Sequence, residues 1–288
     1  MLVKEFRVTV DIKLSVAIKN FEVSLDYNSI QKIIRNKDVK VNGKRQSKDI
    51  MLHSGDVVQF YFKEERKIVD VVYEDDNILV ANKPKELETI SDEVSDSLLT
   101  RLVNQTGLNL YAVHRLDRNK TGLVVFAKKK KKKNELDLVF KNRTIEKYYL
   151  ALVNGHFKEK QNTLIAYLKK DSKNSLVYIS NEKLEGYEKI ETKYKVLEEY
   201  EDTSLIEVKL VTGKTHQIRA HLAHIGHFVI GDQKYGDSKV NQKFKKKYQC
   251  LTAYKIKFHF DKNSVLSYLN NKEIVLPKEK LKILSNNK

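Results

Sequence analysis

The sequence predicts an α+β protein in two parts: a small basic unit over residues 1–64, then, over 65–288, a mixed, largely antiparallel β-sheet with flanking helices. Three observations carry this expectation. Short apolar runs such as LVVFA (Leu123–Ala127), YYLALV (Tyr148–Val153), SLIEVKLV (Ser204–Val211) and YKIKFHF (Tyr254–Phe260) recur in irregular order among polar and helical stretches, unlike the regular strand–helix alternation of a parallel sheet. A charged stretch, Lys63-Glu64-Glu65-Arg66-Lys67, separates two segments of different character and reads as a linker. At 288 residues the chain is long enough for a small domain joined to a medium one.

Composition narrows the partner. Lys and Arg number 55 against 38 Asp and Glu, a net charge of +17 that surrounds the chain with positive potential and favours polyanions. Nucleic acid and an anionic membrane surface both answer that charge. No run approaches the roughly 18 apolar residues of a spanning helix, and the first ten residues, MLVKEFRVTV, lack a signal peptide's apolar core. A soluble, cytoplasmic, monomeric protein with no membrane partner is expected. The single cysteine, Cys250, excludes an internal disulfide and a thiolate zinc cage, and reads as a small buried hydrophobe.

Within the first unit, Val8, Val10, Ile12 and Leu14 alternate with polar residues as a strand does, although Leu14–Ile18 equally suits the start of a helix. After the capping residues of Ser24–Asn28, Ile30, Ile33 and Ile34 recur at helical spacing with Lys32 and Arg35 on the other face. Val39-Lys40-Val41, the turn dipeptide Asn42-Gly43 and Lys44-Arg45 then form a hairpin, and Ser54-Gly55-Asp56 precedes the strand-like VVQFYF. The run from Ile30 to Phe60 resembles an S4 RNA-binding module, in which a helix and the following hairpin present cations to folded RNA. Tyr27, Asn28 and Ser29 stand where such modules carry Arg-Ser-Arg. The resemblance implies RNA contacts at Lys32, Arg35, Lys40, Lys44 and Arg45. The plain alternative is a small basic domain whose cations are only solvated.

The second part opens with two apolar runs, Ile68–Tyr73 and Ile78–Ala81, parted by acidic turn residues as in a hairpin. The lysine run Lys128–Lys133 reads as an exposed helix start or a phosphate contact.

Three segments concentrate reactive side chains beside strands. In the first, HRLDRNKTG (His114–Gly122) precedes the buried-strand run Leu123–Ala127, so Asp117 is a carboxylate in a loop entering a core strand. Arg115 and Arg118 flank it and favour its ionised form. The plain alternative is a turn-capping or ion-paired aspartate. In the second, Glu146-Lys147-Tyr148-Tyr149 enters a strand, where a tyrosine can stack on an unpaired base, pass a proton or simply fill the core. The third joins TGKTHQIRAHL (Thr212–Leu222) to GDQKYG (Gly231–Gly236).

These segments resemble, in matching order, the motifs of the RluA-type family of RNA pseudouridine synthases: HRLDxxTSG, Lys-x-Tyr, TGRTHQIRxHL and GDxxYG. Lys120 stands where the family has Thr, Thr121 at its Ser, Lys214 at Arg and Phe228 at Pro. The resemblance implies the pseudouridine synthase fold, with Asp117, Tyr149 and Arg219 as catalytic residues and Arg219 paired to Asp117. It further implies substrate contacts at His114, Arg115, Arg118, Thr121, Lys147, His216 and Gln217. The implied reaction cleaves the uracil N1–C1′ bond, turns the base and rejoins it through C5, with no metal, nucleotide or redox cofactor, on RNA and chiefly on large-subunit ribosomal RNA. It leaves Asp117 three routes: attack on the sugar, addition to the base, or assistance in removing a sugar proton. Two rival readings are a non-catalytic RNA-binding or ribosome-assembly protein of the same fold and a metal-dependent RNA hydrolase. A zinc site among His216, His221, His224 and His227 is rejected for lack of an HExxH pattern, a carboxylate at ligand spacing or a cysteine pair.

Overall fold

A computed structural model of the chain describes residues 2–22, 25, 27–62, 68–91, 96–142 and 144–281. The linker expected at Lys63–Lys67, along with Ser24, Asp26 and Arg143, lies outside the described residues. Packing divides the chain into Met1–Ile68 with Ser91–Arg101, and Val69–Ile90 with Leu102–Lys288.

The first unit runs β1 (Leu2–Arg7), β2 (Ile12–Lys13), α1 (Leu14–Phe21), α2 (Tyr27–Arg35), β3 (Val39–Val41), β4 (Lys44–Arg45), β5 (Met51–Leu52) and β6 (Val57–Phe62). Its main sheet has the order β1-β6-β3-β4, with β2 and β5 paired separately. Of the strand suggested by Val8–Leu14 only Ile12–Lys13 forms, as β2, and the helical alternative holds from Leu14. The reason lies in partners remote in sequence. Asp49 accepts hydrogen bonds from the Ser15 backbone N–H and hydroxyl at 2.8 and 2.7 Å, capping α1 from 34 residues away. Val8 instead exchanges backbone hydrogen bonds with Gly55 and Asp56. In α2, Ile30, Ile33 and Ile34 are buried while Lys32 and Arg35 are exposed, as the spacing predicts. Asn42 (φ 49°) and Gly43 (φ 78°) form the two-residue turn of the β3–β4 hairpin.

Beyond Ile68 the chain continues through β7 (Asp70–Glu74), β8 (Ile78–Lys83), α3 (Leu98–Thr106), which the division at Arg101 splits, β9 (Tyr111–Ala112), β10 (Thr121–Ala127), α4 (Lys130–Lys141), β11 (Ile145–Asn154) and β12 (Gln161–Asp171). It closes with β13 (Leu176–Ser180), β14 (Glu188–Glu199), β15 (Thr203–Leu210), α5 (Gln217–His224), α6 (Ser238–Lys243), β16 (Leu251–Phe258) and β17 (Glu273–Val275). The central sheet has the order β13-β12-β14-β15-β11-β16-β10-β8-β7, with β9 on β10 and β17 on β16. Among the described strands it is antiparallel except where β10 meets β16. The α+β class and the four strand runs named from sequence are all present, as is the β7–β8 hairpin, whose turn Asp75 holds by accepting the N–H groups of Asn77 and Ile78.

The continuous run of β10 follows from burial on both faces. Leu123, Val125 and Ala127 pack with Leu136, Ile145, Ile256 and Phe258, and Val124 and Phe126 are equally buried on the opposite face. Gly122 is obligatory here. Its φ is +114°, and a Cβ would lie 2.1 Å from the Ala253 carbonyl oxygen on β16. The lysine run begins α4, in line with the helix-start reading. Lys128 pairs with Glu74 at 2.8 Å and Lys133 pairs with Asp137 one turn on, whereas Lys129, Lys130 and Lys131 are exposed.

Candidate active site

The loop between β9 and β10 carries Asp117, and a turn closes it: the Lys120 N–H donates to the Asp117 carbonyl at 3.0 Å. Three anchors fix this loop. The Lys83 ammonium, fully buried at the end of β8, donates to the carbonyls of Pro84 (2.9 Å), Leu87 (2.5 Å) and Arg118 (2.9 Å). Burial pushes Lys83 down to about 8, so at neutral pH it retains the proton that gives it three donors for three carbonyls. The Thr89 hydroxyl accepts from the Leu116 N–H and donates to its carbonyl. His114 lies on Phe140 with ring centroids 4.4 Å apart, and its Nε2 accepts the Val125 N–H at 2.9 Å.

Asp117 itself is about one-third exposed, and Lys120 Nζ lies 3.1 Å from its Oδ2. Burial opposes its negative charge. Lys120, then His216 where it is protonated, and Arg219 together outweigh that and hold the carboxyl below its ordinary value. Tyr149 projects from β11 at a bulge in its pairing with β16. It is 5 % exposed, and its ring centroid is 6.0 Å from the Lys120 ammonium. Burial, then the Asp117 charge, pushes the Tyr149 phenol well above its usual range, so it is a protonated O–H at neutral pH rather than a base.

The opposite wall is built by α5 and the turn Gly231–Gly236. Arg219 donates to Asp232 at 2.5 and 2.7 Å, and Asp232 Oδ1 also accepts the N–H groups of Lys234 and Tyr235. Tyr235 spans the group: its ring lies 5.1 Å from the Arg219 guanidinium carbon, and its hydroxyl contacts His216 Nδ1 and the Val177 N–H. His216 adopts a left-handed φ of 52° just before α5. Burial, reinforced by Arg219 and opposed by Asp117, brings it down to about 4, so it is neutral at physiological pH.

The three residues expected to be catalytic therefore gather around one carboxylate, with corrections in detail. Arg219 makes its bidentate pair with Asp232, not with Asp117, and acts on Asp117 only through the field of its charge. The charges that favour ionised Asp117 at neutral pH come from Lys120 and Arg219, with His216 adding its own only when protonated, while Arg115 and Arg118 are exposed. Three expected substrate contacts are engaged inside the fold. Gln217 is buried, accepting from Thr212 and Lys214 and donating to Glu191 and Thr192. His114 is committed to Val125, and the Thr121 hydroxyl meets that of Thr252 at 2.8 Å across the β10–β16 pairing. Lys147 is half-buried, its ammonium 5.8 Å from the Phe140 ring and close to Gly213. The remaining histidines have separate partners: His221 meets Thr192, His224 meets Asn181, and His227 meets the Asn154 carbonyl.

Sequence reading gave no role to Lys83, Asp232 or Tyr235, and marked Lys120 only as a departure. A lysine ending the apolar run ILVANK is the signal for Lys83, because such a side chain is buried only where acceptors meet it.

Comparison with known proteins agrees with this architecture. The sequence profile described as RNA pseudouridylate synthase matches residues 77–224. The ribosomal large subunit pseudouridine synthase C of Vibrio cholerae is 32% identical over 243 residues, 76% of this chain and 74% of that protein. An uncharacterized RNA pseudouridine synthase of Mycoplasma capricolum is 34% identical over 282 residues, 85% of this chain and 87% of its own. Human RNA pseudouridylate synthase domain containing 1 superposes with a TM-score of 0.64 at 25% identity, covering 77% of this chain and 88% of that one. Human RNA pseudouridylate synthase domain containing 4 shares the fold at a TM-score of 0.60 and 20% identity, with 75% and 92% covered.

Proposed function

This chain belongs to the RNA pseudouridylate synthase family, and from that premise we propose that it converts specific uridines of large-subunit ribosomal RNA to pseudouridine, with Asp117 as the catalytic carboxylate. The enzyme is an isomerase. The bond from uracil N1 to the ribose C1′ breaks, the base turns, and C5 bonds to C1′; C5 gives up a proton and N1 takes one, so no atom is gained or lost.

The observation that carries the assignment to Asp117 is an ionised, partly exposed carboxylate in an anchored loop, with an ammonium 3.1 Å away and a buried tyrosine beside both. A stacked or paired uridine cannot present C1′ and C5 to a side chain, so the target is extruded into the site. Tyr149 offers its ring to the extruded base, and its retained proton makes it a hydrogen-bond donor there. Arg219, fixed by Asp232, supplies a stationary positive field.

Choice of ribosomal RNA rests on the naming of relatives such as those of Vibrio cholerae and Salmonella typhi, which are large-subunit pseudouridine synthases. For the RNA backbone, the exposed Arg115 and Arg118 flank the carboxylate, and a cleft of about 370 Å³ opens at Lys169, Lys170 and Lys214, two residues from His216. Residues 1–64 act as an S4-like RNA-binding domain and 65–288 as the catalytic domain. Support for the former comes from the exposed Lys32, Arg35, Lys44 and Arg45 and the half-buried Lys40 on its α2 and β3–β4 hairpin. The enzyme acts as a cytoplasmic monomer.

Mapping pseudouridines with an adduct that stops reverse transcription, in RNA from cells with and without the protein, tests the activity. At least one ribosomal position should lose its stop without the protein and regain it with wild type but not with Asp117→Asn. An unchanged map refutes the reading.

A further inference from the structure

Lys120, whose charge favours the ionised Asp117, stands at a position where the related motif carries Thr. Its ammonium forms an ion pair with Asp117 Oδ2 at 3.1 Å, and that oxygen is buried with no hydrogen-bond partner among the described residues. The Lys120 N–H donates to the Asp117 carbonyl, so one turn holds the two residues in register. Lys120 is only 9 % exposed, and an ammonium so far from water requires compensating oxygens, which the Asp117 carboxylate supplies. Arg219, the other candidate for the task, has its fork occupied by Asp232, which is fully buried with it.

We infer that Lys120 is a positioning residue, the direct counter-charge that orients the Asp117 carboxylate in this enzyme, while Arg219 serves the scaffold and acts at a distance. The chemistry follows from the geometry. A bidentate guanidinium engages both oxygens of a carboxylate in a fixed plane, whereas a single ammonium engages one and leaves the other free for substrate. Lys120 thus restrains Asp117 at Oδ2 and leaves Oδ1 as the oxygen presented to the nucleoside. The Tyr149 ring, 6.0 Å from the ammonium, gives the cation a second favourable surface and keeps it from swinging away.

This inference rests on the pseudouridine synthase reading, and its test separates the two. Full-length wild type, Asp117→Asn, Lys120→Gln, Lys120→Thr and Lys120→Arg are assayed for single-turnover pseudouridine formation on ribosomal RNA from cells lacking the protein, across roughly pH 4.5 to 8. RNA affinity and thermal unfolding are measured alongside. Wild type without activity, or Asp117→Asn with full activity, refutes the enzyme reading itself.

With wild type active and Asp117→Asn inactive, the inference expects Lys120→Gln to move the acid limb of the rate profile up by about one pH unit. The rate near that limb should fall on the order of tenfold, with RNA affinity unchanged within about twofold. Lys120→Arg should recover most of the loss. A Lys120→Gln profile superimposable on wild type, or a defect confined to RNA affinity, overturns the inference. If Lys120→Gln does not fold, Lys120→Thr, which carries the related motif's own residue, is read on the same limb by the same criteria.

Discussion

Arg219 and Asp232 form a two-pronged ion pair, at 2.5 and 2.7 Å, in which the arginine side chain is 7% exposed and the aspartate 0%. Removing one member leaves the other charged and dry. Asp232→Ala should therefore cost about 3–5 kcal/mol in urea unfolding of the catalytic part. A loss below about 1 kcal/mol would show that water reaches Arg219.

Lys83 serves three carbonyls, one of them on the residue following Asp117. Lys83→Met keeps the stem's bulk but strands those acceptors, each worth about 1–3 kcal/mol when left unpaired. Both stability and single-turnover rate should drop, and faster amide exchange across residues 114–120 is the measurement that ties the two losses to the loop.

Acid should weaken the fold through half-buried and buried imidazoles. Burial, then the Lys147 charge, brings His114 down to about 3, and burial chiefly brings His216 and His221 down to about 4. Between about pH 6.5 and those values the unfolded chain binds protons that the native state refuses, so stability falls as pH drops through that window. His114→Gln, which keeps an acceptor for the Val125 N–H, should flatten the decline by up to about 1.4 kcal/mol per pH unit. Parallel melting curves for the two proteins from neutral to acid pH would refute the assignment.

Gly122 leaves no room for a side chain at the β10–β16 contact. Gly122→Ala, strained both in φ and in space, should destabilise by more than about 2 kcal/mol and shift the register of β10 that positions Asp117. Crystallography of the variant should show the strands parted at Thr121–Thr252; an unmoved pairing would contradict this.

The basic hairpin should act on phosphates without reading sequence. Lys44→Ala and Arg45→Ala should weaken binding to ribosomal and unrelated RNA alike and lower the slope of log affinity against log salt by about one for each phosphate no longer neutralised. A slope that does not change would exclude this surface from the RNA interface.

How much was legible in the sequence depended on where each residue's partner sits. The β10 run and the Asn42-Gly43 turn announce themselves because burial on both faces and a positive φ leave local signatures. The loop bearing Asp117 was legible through its matching segment and its place before a core strand. The partner of Arg219 was not, since Asp232 lies 13 residues on in a separate turn. Gln217 and His114 misled for a related reason: a polar side chain in a reactive segment looks the same whether it faces a ligand or satisfies buried backbone. The capping of α1 by Asp49 likewise cannot be seen locally.

The strand order β11-β16-β10 has a consequence for synthesis. β10 and β11 leave the ribosome early, separated by one helix, yet β16 lies between them. Until residue 258 has emerged, two apolar sheet fragments wait with open edges, able to recruit each other wrongly or recruit a neighbouring chain. Nascent chains halted before that strand should depend on chaperones, and complete ones should not.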